Sequence, residues 1–244
     1  MGKRIGLIQT RGIGDIVIAI PIADAFLQEG YDVIWPIDQT LVSMFSSARP
    51  DITFPGVPMC DGYFFDAPLK LLQERDCERI IPLYNFFDKK AIYDERLAHS
   101  LKFDEYKYAV AGVPFSRKWN LKIHRNQQRE EDLYRRVNPG GEYVCLHDSA
   151  SNFRLGSAIP TELIGDRKLV RIEPLTDNPF DWLLTLERAS RLILIDSCFS
   201  NLVEQLNFPN EKYLILRSPM KETPIYKNGW KFLYVTQIET IESN

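Results

Sequence analysis

The sequence predicts an α/β protein built from two Rossmann-like, doubly wound domains that face each other across a cleft. Three observations lead there. The chain opens with a strand, a glycine turn, a helix and a second strand, the first repeat of a doubly wound sheet. A sharp break follows at Asn138-Pro139-Gly140-Gly141. After that break a second series of strands and helices begins. The expected domains are 1–138 and 139–244.

The elements follow in order. Arg4–Gln9 is a short, mostly apolar run suited to a buried parallel strand. Thr10-Arg11-Gly12-Ile13-Gly14 turns the chain. Ile16, Ile20, Ala23 and Leu27 then recur at helical spacing, and Gly30 stops the helix. Pro21 falls inside it, which predicts a late start or a kink. Asp32–Pro36 reads as a strand, Asp38–Ala48 as a helix, Tyr63–Phe65 as a short strand and Ala67–Glu74 as a helix. Arg79–Leu83 is another strand, and Glu95–Ala111 and Gln127–Val137 are helices. In the second half, Tyr143–His147, Lys168–Ile172, Leu192–Ile195 and Tyr213–Leu216 read as strands. Phe180–Ser190 and Asn201–Leu206 read as helices, and Asp148–Arg154 as a polar loop.

Composition narrows the functional classes. The chain has 244 residues, 45% hydrophobic and 26% charged, which is ordinary for globular proteins. Thirty basic residues against 33 acidic ones give a net charge of −3, so no basic coat for nucleic acid covers the protein. No apolar run reaches the roughly 18 residues a bilayer span needs. The apolar start Ile5–Ile8 is broken by Gln9, Thr10, Arg11 and Asp15, so no export signal is read and a cytoplasmic protein is expected. Cys60, Cys77, Cys145 and Cys198 are scattered, as are His99, His124 and His147. That spacing argues for reduced thiols and against a structural zinc site.

Ligands of doubly wound sheets bind beyond the carboxyl ends of the strands. Three loops there carry candidate chemistry. In Gly12-Ile13-Gly14-Asp15 the glycines admit a ligand to the backbone, and the helix start favours an anion. Asp15 has two readings, a helix cap or a general base. The loop lacks G-x-G-x-x-G, and its carboxylate repels pyrophosphate, so a dinucleotide site does not fit. The second loop, His147-Asp148-Ser149-Ala150-Ser151-Asn152-Phe153-Arg154, combines hydroxyls, N–H groups and a cation suited to a diphosphate. The third, Asp196-Ser197-Cys198-Phe199-Ser200-Asn201, places small polar residues at a helix start, where they either cap the helix or hold a phosphate. No G-x-S-x-G elbow accompanies Ser197.

These loops, in this order, resemble the heptosyltransferase-like glycosyltransferases of family nine, which have the GT-B fold. The resemblance rests on Arg11-Gly12-Ile13-Gly14-Asp15-Ile16-Val17-Ile18-Ala19-Ile20-Pro21 and on Leu194-Ile195-Asp196-Ser197-Cys198-Phe199-Ser200-Asn201-Leu202. It implies an inverting, metal-independent transfer from a nucleotide-diphosphate sugar to an acceptor hydroxyl, with no cofactor. By the same resemblance Asp15 is the base, and the second domain holds the donor. Gly14, Asp148, Ser149, Arg154, Asp196, Ser197, Cys198 and Asn201 fall at donor-binding positions. Cys198 stands where the family has Gly, and Asn201 where it has His; Asn donates a hydrogen bond but carries no charge. Glu173, after the Lys168–Ile172 strand, is a candidate for the ribose hydroxyls. No D-x-D motif is present.

The acceptor side is assigned to the first domain. Arg117–Arg136 contains seven Lys/Arg against Glu130, Glu131 and Asp132, a local +4. With Arg11, the residues Arg117, Lys118 and Lys122 are candidates to meet an anionic acceptor. A surface saccharide of the lipopolysaccharide type, reached through peripheral membrane contact, is one reading. Duplex DNA carrying a flipped, hydroxymethylated base is a second. The changes at Cys198 and Asn201 keep a third open, a sugar-nucleotide-binding protein without catalysis.

Overall fold

A computed structural model describes residues 2–58, 65–85, 94–150, 153–154, 159, 161–216, 223–234 and 239–240. The chain divides into two compact units, Met1–His124 and Arg125–Asn244.

The first unit contains strands β1 (Arg4–Ile8), β2 (Asp32–Ile34), β3 (Ile37–Asp38), β4 (Gly56–Val57) and β5 (Arg79–Pro82). Its helices are α1 (Ile13–Gln28), α2 (Val42–Ala48), α3 (Asp66–Glu74), α4 (Glu95–Ser100) and α5 (Phe103–Ala111). The central sheet is parallel in the order β2-β1-β5, and β3 pairs with β4 beside it. Gly6, in mid-strand, is required by packing. A Cβ there would lie 2.7 Å from a methyl of Leu72 on α3.

Helix α1 is buried well beyond the row Ile16, Ile20 and Ala23. Residues 16–23 are buried without interruption, together with Ala25 and Phe26. The sheet lies on one side; α5 and the 3-10 turn Phe115–Trp119 lie on the other, so the helix is enclosed. It begins at Ile13 and runs through Pro21. The hydroxyl of Tyr108 donates to the Ile18 carbonyl at 2.8 Å, next to the Val17 carbonyl that Pro21 cannot serve. The long helix expected over Glu95–Ala111 is broken at Leu101-Lys102, where the backbone is extended. Residues 63–64 of the expected Tyr63–Phe65 strand, and Cys60, lie outside the described residues.

The second unit contains α6 (Gln127–Val137), β6 (Tyr143–His147), β7 (Ser149–Ala150), β8 (Phe153–Arg154), β9 (Lys168–Arg171) and α7 (Leu183–Arg188). It continues through β10 (Arg191–Ile195), α8 (Cys198–Gln205), β11 (Glu211–Leu216), β12 (Trp230–Tyr234) and β13 (Glu239–Thr240). Its main sheet is parallel in the order β12-β11-β10-β6-β9. Val144, Leu146, Ile193, Ile195, Tyr213 and Ile215 form a core cluster on alternate positions of three adjacent strands. The expected polar loop Asp148–Arg154 is a small antiparallel hairpin, β7 against β8, with β13 beside it. Helix α8 starts at Cys198, three residues before the expected start, because Ser197 is its cap.

The division between the units falls after His124, upstream of the Pro-Gly-Gly break. Helix α6 packs on α7 and the turn Pro179–Trp182. Arg129 of α6 pairs with Asp177 and Asp181, and Arg188 pairs with Glu131. Among the described residues, no helix is long and apolar enough to cross a membrane.

Candidate active site

Both sheets reverse their winding next to their first strand. In the first unit the reversal lies between β1 and β5, the kind of position where doubly wound sheets bind ligands. The residues that follow these two strands are tied together. The Thr10 N–H donates to the Tyr84 hydroxyl at 2.9 Å, and Thr10 Oγ1 lies 2.9 Å from the same oxygen. Trp35 Nε1 donates to the Gln9 carbonyl at 3.0 Å. Burial pushes the Tyr84 hydroxyl above its ordinary range, so it stays neutral there.

Asp15 lies in the first turn of α1, and Gly12 is the cap residue, without a side-chain cap bond. Among the described residues no hydrogen bond from an N–H of that turn reaches the Asp15 carboxylate. Its carboxylate forms an ion pair with Lys107, with Nζ 3.0 Å from Oδ1. Lys107 Nζ also donates to Gln9 Oε1 at 2.6 Å and to the Leu83 carbonyl at 3.2 Å. The Lys107 side chain is 3% exposed and that of Asp15 is 39% exposed. A half-open carboxylate on a rigid helix start can accept a proton from a bound hydroxyl. Gly12, at φ 80°, makes room: a Cβ there would lie 2.7 Å from Asp15 Oδ2. Gly14 is half-buried in the same turn, and Gln9 Nε2 donates to the Arg11 carbonyl at 2.8 Å.

In the second unit the reversal lies between β6 and β10. His147 ends β6, and its Nδ1 lies 3.1 Å from Ser197 Oγ, just beyond β10. Ser200 Oγ accepts from the Ser197 N–H at 2.9 Å, fixing the start of α8. The Tyr226 hydroxyl donates to Asp196 Oδ1 at 2.8 Å and lies 2.9 Å from Ser200 Oγ. Burial, then the neighbouring Asp196, holds the Tyr226 hydroxyl well above its ordinary value, so it remains a donor.

The other candidates for the donor are less uniform. Asp148 is fully buried and paired with Arg171. Ser149 stands opposite Arg154 in the hairpin, and the Arg154 backbone also pairs with Glu239. Cys198 is half-buried, and desolvation pushes its thiol up to about 12, which excludes a reactive thiolate. Asn201 is buried, and its Nδ2 donates to the Ser197 carbonyl at 2.8 Å; that donor serves the helix itself. Glu173 is exposed beyond edge strand β9, next to β6.

The acceptor-side set is corrected. Lys118 is fully buried and its Nζ donates to Asp104 Oδ2 at 2.7 Å, so it meets no acceptor at the surface. Arg117 donates to Gln28 at 2.6 Å; with Lys122, Asp24 and Pro21 it lines a cavity of about 260 Å³. That cavity lies beside the second half of α1, and nine helical residues, roughly 13 Å, separate Asp24 from Asp15. Arg125, Arg129 and Arg135 pair with Glu130 and Glu187, with Asp177 and Asp181, and with Asp132. Glu130 and Asp132 belong to the stretch itself and are already counted in its +4; Asp104, Asp177, Asp181 and Glu187 come from other segments and offset it. Among the described residues, no three His, Cys, Asp or Glu side chains gather as a metal would require.

Sequence reasoning missed Lys107, Tyr84, Arg171 and Tyr226. Lys107 left a trace, because it interrupts the i, i+4 row Phe103–Lys107–Ala111 on α5. Tyr226 left none, since it lies in an irregular segment far from Asp196 in sequence.

No protein-family model matches the chain, and no curated protein matches it by sequence. Solved structures do. A family 9 glycosyltransferase from Veillonella parvula has a TM-score of 0.67 at 13% identity, covering 95% of this chain and 87% of that one. The Escherichia coli heptosyltransferase WaaC with ADP-2-deoxy-2-fluoro heptose gives 0.56 at 14%, covering 94% and 92%. The E. coli ADP-heptose lipopolysaccharide heptosyltransferase II gives 0.56 at 11%, covering 96% and 92%. At these identities the likeness is one of architecture, and the chain has the GT-B-like fold of the family 9 glycosyltransferases.

Proposed function

We propose that the chain is an inverting glycosyltransferase that moves a sugar from a nucleotide-diphosphate sugar to an acceptor hydroxyl. The observation that carries this reading is the Asp15 carboxylate, which sits at a helix start, half-exposed, and does not cap its helix. An acceptor hydroxyl is far too weak an acid to ionise at neutral pH, so a positioned base takes its proton as attack proceeds. One carboxylate acting as base, with attack from the face opposite the leaving group, inverts the anomeric centre.

In this reading the second unit holds the leaving nucleoside diphosphate. Its growing charge is met by the N–H groups at the start of α8, by Ser197 and by Arg154. Asp196, held by Tyr226, faces the sugar hydroxyls, and Glu173 the ribose. No step needs a metal. WaaC was solved with ADP-2-deoxy-2-fluoro heptose, and heptosyltransferase II carries ADP-heptose in its name, which makes ADP-heptose the first donor to test. A saccharide acceptor is favoured over duplex DNA, because the basic stretch is largely paired internally. The described cysteines are unpaired, which supports a reducing, cytoplasmic setting.

The test joins calorimetry with ADP and ADP-heptose to mass spectrometry of candidate acceptors. Asp15→Asn is expected to bind donor as the wild type does and to lower transfer by roughly 10²–10⁴-fold. Unchanged turnover removes Asp15 from the base role. Donor binding without transfer to any acceptor supports a non-catalytic binding protein instead.

A further inference from the structure

A carboxylate in the first turn of a helix ordinarily turns back to the unbonded N–H groups there, drawn also by the helix dipole. Helix α1 invites this strongly: Gly12, its cap, has no side chain to offer. Asp15 nevertheless makes no such bond among the described residues. Its Oδ1 is drawn to Lys107, 3.0 Å away.

Lys107 is built to hold that position. Its ammonium is fixed from the ends of both switch-point strands, by Gln9 Oε1 at 2.6 Å after β1 and by the Leu83 carbonyl at 3.2 Å after β5. Nζ lies 5.9 Å from the centre of the Tyr84 ring and 5.6 Å from that of Phe103. Burying an ammonium this completely is costly unless it is paired. The pairing ties three elements to one point.

We propose that Lys107 is a positioning residue that keeps Asp15 out of the helix cap and presents Oδ2 to the acceptor hydroxyl. The role rests on the transferase reading, while the restraint itself is a property of the free protein. Lys107 touches no reacting atom and acts through Asp15. Gly12 allows this placement: without a Cβ it lets the Asp15 carboxylate lie against its backbone, where a Cβ would come within 2.7 Å of Oδ2.

Two measurements test it. The first needs no substrate. In a crystal structure of Lys107→Met, Asp15 is expected to swing onto the N–H groups of the first turn of α1. An ordered Lys107→Met structure with Asp15 in its present place overturns the proposal. The second is a double-mutant cycle with ADP-heptose as donor. Lys107→Met is expected to lower kcat by roughly 10²-fold, the effect of a misplacement of about 1 Å, with the donor KM unchanged. On the Asp15→Asn background the same change is expected to have no further effect; additive losses overturn it. If Lys107→Met does not fold, Gln9→Leu, which removes the shortest anchor, enters both measurements with the same criteria. Full turnover by Asp15→Asn alone defeats the base reading, and the crystal structure still decides whether Lys107 holds the carboxylate.

Discussion

The imidazole Nδ1 of His147 lies 3.1 Å from Ser197 Oγ, and this contact joins the ends of β6 and β10, where the second sheet reverses its order. The ring also packs edge-on against Phe199, with centroids 4.7 Å apart. One serine therefore stands at the cap of α8 and meets the neighbouring strand end. Ser197→Ala is expected to cost about 1 kcal/mol of stability, the usual loss for a helix cap. It is also expected to weaken ADP binding. Urea unfolding and calorimetry measure the two effects; an unaltered ADP affinity takes Ser197 out of the donor site.

Lys118 and Asp104 form an ion pair in which both side chains are fully buried. Removing one partner strands the other charge away from water. Lys118→Met is expected to destabilise the first unit by about 3–5 kcal/mol. Adding Asp104→Leu is expected to restore most of that, because no lone charge then remains. Denaturant unfolding of the single and double variants decides the matter. A mild effect of Lys118→Met would return this lysine to the surface and to the acceptor.

The strands were legible because buried parallel strands are continuous apolar runs, as in Leu192–Ile195 and Tyr143–Leu146. The loops of Asp15 and Ser197 were placed for the same reason: each follows an apolar strand, β1 or β10, and opens a helix. Lys118 misled for a physical reason. Its neighbours in sequence are basic, but its partner Asp104 comes from α5, and a local charge count omits partners that tertiary structure brings in. In helix α1 the row Ile16, Ile20 and Ala23 marks only part of the buried surface, because α5 and the Phe115–Trp119 turn also pack on the helix. The tie from Tyr226 to Asp196 spans thirty positions and depends on an irregular segment, for which periodicity carries no signal.

Glu204 is fully buried on α8 and accepts from the Lys227 N–H at 2.9 Å, the Asn228 N–H at 3.3 Å and Trp230 Nε1 at 2.8 Å. It thereby anchors the segment that carries Tyr226 to Asp196. Glu204→Leu keeps similar volume and leaves those donors without their carboxylate. A loss of at least about 3 kcal/mol is expected, at roughly 1–3 kcal/mol for each stranded donor. Trp230 fluorescence reports the local release. If the segment stays ordered and ADP affinity is unchanged, Tyr226 is held by other means.

Glu211 gives the stability a defined acid dependence. Hydrogen bonds from Lys231 and Tyr213, followed by Arg191, hold its carboxyl at about 2, below the ordinary 4.5. A carboxyl depressed on folding stabilises the native state fully above its unfolded value, and that contribution is lost as pH falls through the folded value. The window is therefore from about pH 4.5 down to about 2. Within it, the urea midpoint of the wild type is expected to fall more steeply than that of Glu211→Gln, and the two curves are expected to converge at the acid end. Lys231 is largely exposed, so 1 M NaCl is expected to narrow the difference at neutral pH by screening its part, leaving the share from the less exposed Arg191. Parallel pH curves for the two proteins would show that the β10–β11–β12 charge cluster adds nothing to folding.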